Sequence, residues 1–96
     1  MIYVKFHKGS SVIVAICDSN LIGKTFKKGK LSLNVSEHFY KGELKTEDEV
    51  KEIMKNFNNF NIVGEESIKL ALDVGIIEKN SIIKISGVKH AQSISY

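Results

Sequence analysis

Hydrophobic and polar residues alternate from Ile2 to His7, with Ile2, Val4 and Phe6 on one side and Tyr3, Lys5 and His7 on the other. Period two over six residues predicts a half-buried strand. Lys8-Gly9-Ser10 reads as a turn, and Val12 to Cys17 is an unbroken apolar run rich in β-branched residues. Such a run predicts a strand buried on both faces and central in its sheet, paired with the first as a hairpin. Asp18-Ser19-Asn20 then supplies turn residues. Lys24-Thr25-Phe26 suggests a short strand and Lys27 to Lys30 a second turn. Leu31, Leu33 and Val35 alternate with Ser32 and Asn34 as another half-buried strand. Ser36 is placed to cap one helical turn through Tyr40, closed by Gly42.

The second half changes period. Thr46 with Glu49 fits a capping box, in which the threonine hydroxyl and the glutamate carboxylate each satisfy the other's backbone N–H. Val50, Ile53, Met54 and Phe57 follow at helical spacing, and Asn58-Asn59 ends the element. The stretch Asn61–Gly75 predicts a second helix, capped by Asn61, with Glu65 and Glu66 near its positive end. Ile68, Ala71 and Leu72 form its apolar stripe, Gly64 allows close helix packing, and Gly75 takes the left-handed stop. Glu78 to Ser81 reads as a turn, Ile82 to Ser86 as a strand, Gly87-Val88 as a bend, and Ala91 to Tyr96 as a last strand.

This order of elements predicts one α+β domain over residues 1–96. Its sheet is mostly antiparallel, with a parallel pair left open, and has four to five strands with two main helices packed on one face. The opposite face is then expected to be open. Ninety-six residues suit one domain, and a 43% hydrophobic, 26% charged chain is globular rather than disordered. No apolar run reaches the roughly 20 residues that span a bilayer, and the N-terminus carries no signal-peptide pattern. The expected location is cytoplasmic, with no membrane partner. One cysteine excludes an internal disulfide.

Charge divides along the same lines. Residues 1–42 hold seven lysines and two acids, residues 43–78 four lysines and nine acids, and residues 79–96 three lysines and no acid. The strand-rich ends are basic and the helical middle acidic. Every one of the 14 basic residues is lysine, which weighs against the bidentate phosphate and guanine contacts that arginine makes best. Lys24, Lys27, Lys28 and Lys30 surround Phe26, and Tyr3 and Lys5 share the polar side of the first strand. Ammonium groups that hold phosphates beside rings that stack bases suit single-stranded nucleic acid. The competing reading is that strand lysines only keep edges solvated and unaggregated.

Other chemistry is sparser. Lys89-His90-Ala91-Gln92 places two hydrogen-bonding side chains after the Gly87 bend, where they would read a base, act locally on the backbone, or, for His90, serve as a general base. Cys17 ends a buried run, where free cysteine acts as a small hydrophobe rather than a nucleophile. His7, His38, His90 and Asp18 lack metal-ligand spacing. Gly23-Lys24-Thr25 lacks the upstream glycine of a P-loop, since Asp18 stands there. No metal, cofactor or catalytic residue is expected.

Several segments carry a family resemblance: Val-Ala-Ile-Cys-Asp at 14–18, Leu-Ile-Gly-Lys-Thr-Phe at 21–26, Leu-Asn-Val-Ser-Glu-His-Phe-Tyr at 33–40, Asn-Ile-Val-Gly-Glu at 61–65 and Val-Lys-His-Ala-Gln at 88–92. In these the chain resembles the small archaeal family known as domain of unknown function 424. The family pattern places proline before the histidine; Lys89 stands there in this chain and removes that rigidity. The resemblance implies an archaeal cytoplasmic protein, associated with translation, and supplies no catalytic residues. The leading expectation is a non-enzymatic module that binds RNA or ribonucleoprotein through Tyr3, Lys5, Lys24, Phe26, Lys27, Lys28, Lys30, Lys89, His90 and Gln92. The alternatives are a protein-interaction or homodimer module, and a small enzyme using His90 with Asp18 or Cys17.

Overall fold

The computed structural model of the chain describes residues 1–94. Eleven elements follow in order: β1 (Ile2–Lys8), β2 (Val12–Asp18), β3 (Thr25–Lys28), β4 (Leu31–Asn34), α1 (Glu37–Tyr40), β5 (Glu43–Lys45), α2 (Glu47–Asn56), β6 (Phe60–Val63), α3 (Glu65–Val74), β7 (Ile83–Ile85) and β8 (Val88–Ser93). Six strands form one mixed sheet in the order β5-β1-β2-β6-β8-β7, and β3 and β4 pair as a separate hairpin. β2 runs parallel to β6, with Val14 opposite Phe60 and Cys17 opposite Val63. The remaining sheet pairings are antiparallel. The architecture is α+β as expected, with a mixed sheet and more strands than the sequence pattern suggests.

The β1–β2 hairpin and the central position of β2 follow from the patterns that predict them. Alternation sends Ile2, Val4, Val14, Ile16, Phe60, Ile62 and Ala91 to one face, where they pack against Val50 and Met54 of α2 and Ile68, Leu70 and Ala71 of α3. α2 begins with the full capping box: the Thr46 side chain accepts from the Glu49 N–H at 3.2 Å, and Glu49 accepts from the Thr46 N–H at 2.9 Å. α3 ends at Gly75, whose φ of 89° is the left-handed stop, and Ile76 N–H reaches back to the Ala71 carbonyl at 3.1 Å.

The other face of the sheet is not open. Ala15, Cys17, Val63 and Ile85 are covered by Leu33, Val35, Tyr40 and the half-buried Phe26 and Phe39, so the β3–β4 hairpin and α1 build a second, smaller core there. Ser36 caps α1 as its position suggests, accepting from Phe39 N–H at 3.1 Å. The expectation of an exposed sheet surface is corrected: the alternating apolar residues of β4 need a surface to bury against, and that face supplies it.

Two boundaries also move. Asn61 lies within β6 and caps nothing; α3 begins four residues later. The last strand begins at Val88 rather than Ala91, because Ser86 (φ 50°) and Gly87 (φ 81°) turn the chain in two residues and allow β7 and β8 to pair at once. Ser95 and Tyr96, the end of the expected strand, lie outside the described residues.

Candidate functional site

Asp18 is the residue whose structural role departs furthest from its sequence reading. It closes β2 at 6% exposure instead of standing in a solvated turn. Its Oδ2 accepts from Glu66 N–H at 3.0 Å, and its Oδ1 from Ser67 N–H at 2.8 Å and Ser67 Oγ at 2.6 Å. A carboxylate from a strand therefore caps α3 and meets the positive helix end. Gly64 sits between them with φ 112°, and a Cβ there would lie 2.2 Å from Asp18 Cγ. The site is structural: its donors are consumed by Asp18, and Glu65 and Glu66 flank it.

Cys17 and His90 do not join Asp18 in a shared centre. The Cys17 thiol is fully buried and donates to the Asp18 carbonyl at 3.1 Å. Burial, with the neighbouring Asp18 charge, pushes its pKa up to about 12. His90 lies in β8, not at a bend, with Nδ1 3.0 Å from the Ile62 carbonyl. A carbonyl only accepts, so Nδ1 carries the proton and Nε2 is the acceptor of the neutral ring. Burial lowers the His90 pKa, opposed by that hydrogen bond. Neither Cys17 nor Asp18 lines any of four hollows that the described residues form on the surface. Among the described residues no three His, Cys, Asp or Glu side chains cluster to hold a metal, and no helix is long and apolar enough to cross a membrane.

The family model described as "Protein of unknown function (DUF424)" matches residues 6–96. The chain belongs to the DUF424 family. This DUF424 chain is similar in fold to the crystal structure of an uncharacterized conserved protein from Methanopyrus kandleri, at 25% identity and a TM-score of 0.78, over 99% of this chain and 94% of that one. No curated protein matches the sequence.

In this DUF424 fold the lysine-rich residues of the sequence fall into separate places. Lys24, Lys27, Lys28 and Lys30 are exposed on the β3–β4 hairpin, and none of them takes part in the ion pairs found among the described residues. Phe26, at their centre, turns into the second core, half-buried with Leu33 and Ile85, so its ring is not an open platform. Lys5 Nζ donates to the His38 carbonyl. Lys89 is paired with Glu65 at 2.9 Å; by strand alternation it faces away from His90 and Gln92. Tyr3 is half-buried on β1.

His90 and Gln92 do share a side of β8, and the sheet adds residues that the linear pattern hid. Asn61 is the cross-strand partner of Gln92. Its Oδ1 accepts from Tyr40 Oη at 2.8 Å, which fixes the amide and leaves its NH₂ as a donor. Ser11, Ile13, Asn59, Asn61, Gln92 and Ile94 line a hollow of about 260 Å³ on this face of the sheet. Gln92 is also a wall of a neighbouring hollow lined by Ser81, Ile83 and His90. As a strand, Phe60–Val63 puts Asn61 on the face opposite Phe60 and Ile62, but the pairing that sets it beside Gln92 and the docking of Tyr40 above it have no signal in the sequence.

Proposed function

We propose that this DUF424 protein is a non-enzymatic module that binds single-stranded RNA, alone or within a ribonucleoprotein, through the β3–β4 hairpin. The observation that carries the reading is the concentration of unpaired positive charge there. Between Asp18 and Glu37 the sequence holds four lysines and no acid. All four ammonium groups are exposed and outside every ion pair of the described residues. A short two-stranded hairpin docked through its apolar side is a rigid support for such a charge cluster, and it concentrates phosphate-bearing chains near its surface. Phe26 serves as the hairpin's anchor in this reading, not as a stacking ring.

The acidic helices lie behind the sheet and repel the same ligand, so binding has one polarity. The test is fluorescence anisotropy of a labelled single-stranded RNA at low salt, comparing Lys27→Glu/Lys28→Glu with Lys51→Glu/Lys55→Glu. The second pair lies on α2, where Lys55 is already matched with Glu52 at 3.7 Å. The hairpin variant should lose binding at least tenfold and the helix variant much less. Equal losses, or no binding by the unaltered protein, would remove the proposal.

A further inference from the structure

The hollow beside Asn61 and Gln92 has a chemistry of its own. Among the described residues no charged side chain lines it, so they do not build a site for a phosphate or a carboxylate. Ile13, 40% exposed, and Ile94, 62% exposed, supply flat apolar contact. Two carboxamides stand across from each other on neighbouring strands. That of Asn61 is held by Tyr40 so that it offers NH₂, and that of the exposed Gln92 is free to offer a donor and an acceptor together. An apolar floor with a donor–acceptor amide and a second donor at the rim complements a neutral, planar, hydrogen-bonding ring.

We propose that this hollow takes one unstacked nucleobase, adenine by preference. Gln92 pairs with the N6 and N7 edge, as glutamine does with adenine. The Asn61 NH₂ donates to a further ring nitrogen, and Ile13 carries the ring face. This rests on the RNA-binding reading above for its biological ligand and deepens it: the hairpin holds phosphates and the hollow reads a base. A side-chain contact and one strand connect the two. Ser86 Oγ donates to the Lys27 carbonyl, and β8 runs from just beyond that contact to Gln92. Val88 to Gln92 spans about 13 Å at the usual strand rise, a distance that a few nucleotides of extended strand cover. Sequence-specific recognition of RNA mostly targets unstacked single-stranded bases, read by hydrogen bonds to their edges.

The experiment uses free nucleosides, which carry no phosphate and so are blind to the hairpin. Adenosine, guanosine, cytidine and uridine are titrated into ¹⁵N-labelled protein while the side-chain amide resonances of Asn61 and Gln92 are followed. Adenosine should shift both saturably and bind about tenfold or more tightly than the other three, the discrimination one bidentate pair supplies. Gln92→Ala, at an exposed position, should keep the native spectrum and lose the preference. Lys27→Glu/Lys28→Glu should lose RNA affinity yet respond to adenosine unchanged. No saturable shift with any nucleoside, or equal responses that persist in Gln92→Ala, overturns the base pocket even if RNA still binds the hairpin. Adenosine binding without salt-sensitive RNA binding overturns the hairpin reading instead.

Discussion

Replacing Asp18 by alanine should be among the most damaging single changes in this protein, for reasons unrelated to ligand binding. Three donors end on its carboxylate: the Glu66 N–H, the Ser67 N–H and the Ser67 hydroxyl. Loss of an N-cap costs about 1–2 kcal/mol. Ser67 is fully buried, and a buried donor left without an acceptor costs about 1–3 kcal/mol. The terms overlap, so the expected loss is about 3 kcal/mol, a large share of the roughly 5–15 kcal/mol that stabilises a small domain. At 4–8 °C per kcal/mol for a chain of this size, the midpoint should fall by about 12–24 °C. Asp18→Asn keeps one acceptor but sets an NH₂ or a neutral oxygen against a positive helix end, and should lose about half as much.

Gly64 makes the reasoning testable beyond a single number. Gly64→Ala is strained by its φ of 112° and drives a Cβ into the Asp18 carboxyl, 2.2 Å away. Alanine at 18 removes the second problem and leaves the first. The double variant should therefore be more stable than the sum of the singles predicts, by more than about 1 kcal/mol, the size of coupling seen between residues in contact. Urea unfolding followed by circular dichroism gives all four corners of the cycle. An Asp18→Ala loss below about 0.5 kcal/mol, or strict additivity with Gly64→Ala, would refute the account of this cap.

Other expectations follow from buried groups. Cys17, with its pKa pushed up to about 12, should resist thiol reagents at about pH 8 in native protein and react at an ordinary rate once unfolded, since only the thiolate attacks; rapid native labelling would show that the strand end opens. His90 stays neutral in the native state to lower pH than in the unfolded chain, whose histidine titrates near the usual value of 6.5. Its preference for the fold is thus complete above about pH 6.5 and is lost as pH falls toward the depressed native value, because the unfolded state takes up the proton first. The urea midpoint should drop between about pH 7.5 and 5.5 by more in the wild type than in His90→Gln. Equal drops would place His90 in water.

Much of the fold was legible locally. The capping box at Thr46, the i, i+3, i+4, i+7 apolar set from Val50 to Phe57 and the Gly75 stop each involve residues within one or two turns, and local rules recover such features. The start of α3 was not. Asn61 resembles a cap, but the true cap arrives from Asp18, 48 and 49 residues before the amides it serves, and no window on the sequence contains both. By sequence pattern Asn-Ile-Val therefore reads as the start of a helix, whereas its β-branched pair and parallel neighbours Ala15 and Ile16 make it a strand. The same error hid the Asn61–Gln92 pair. The lysine cluster was legible as charge, yet the burial of Phe26 and the engagement of Lys5 and Lys89 depend on where the hairpin, α1 and α3 dock, which alternation alone does not specify.

The measurement that bears most directly on the hairpin reading is the salt dependence of affinity for single-stranded RNA. Four hairpin lysines on phosphates predict a slope of log K against log salt near −3, from about −0.7 per contact. Lys27→Glu/Lys28→Glu should flatten it by at least about 1.4. A slope near zero, or the same slope in both proteins, would contradict the assignment of RNA binding to the β3–β4 hairpin.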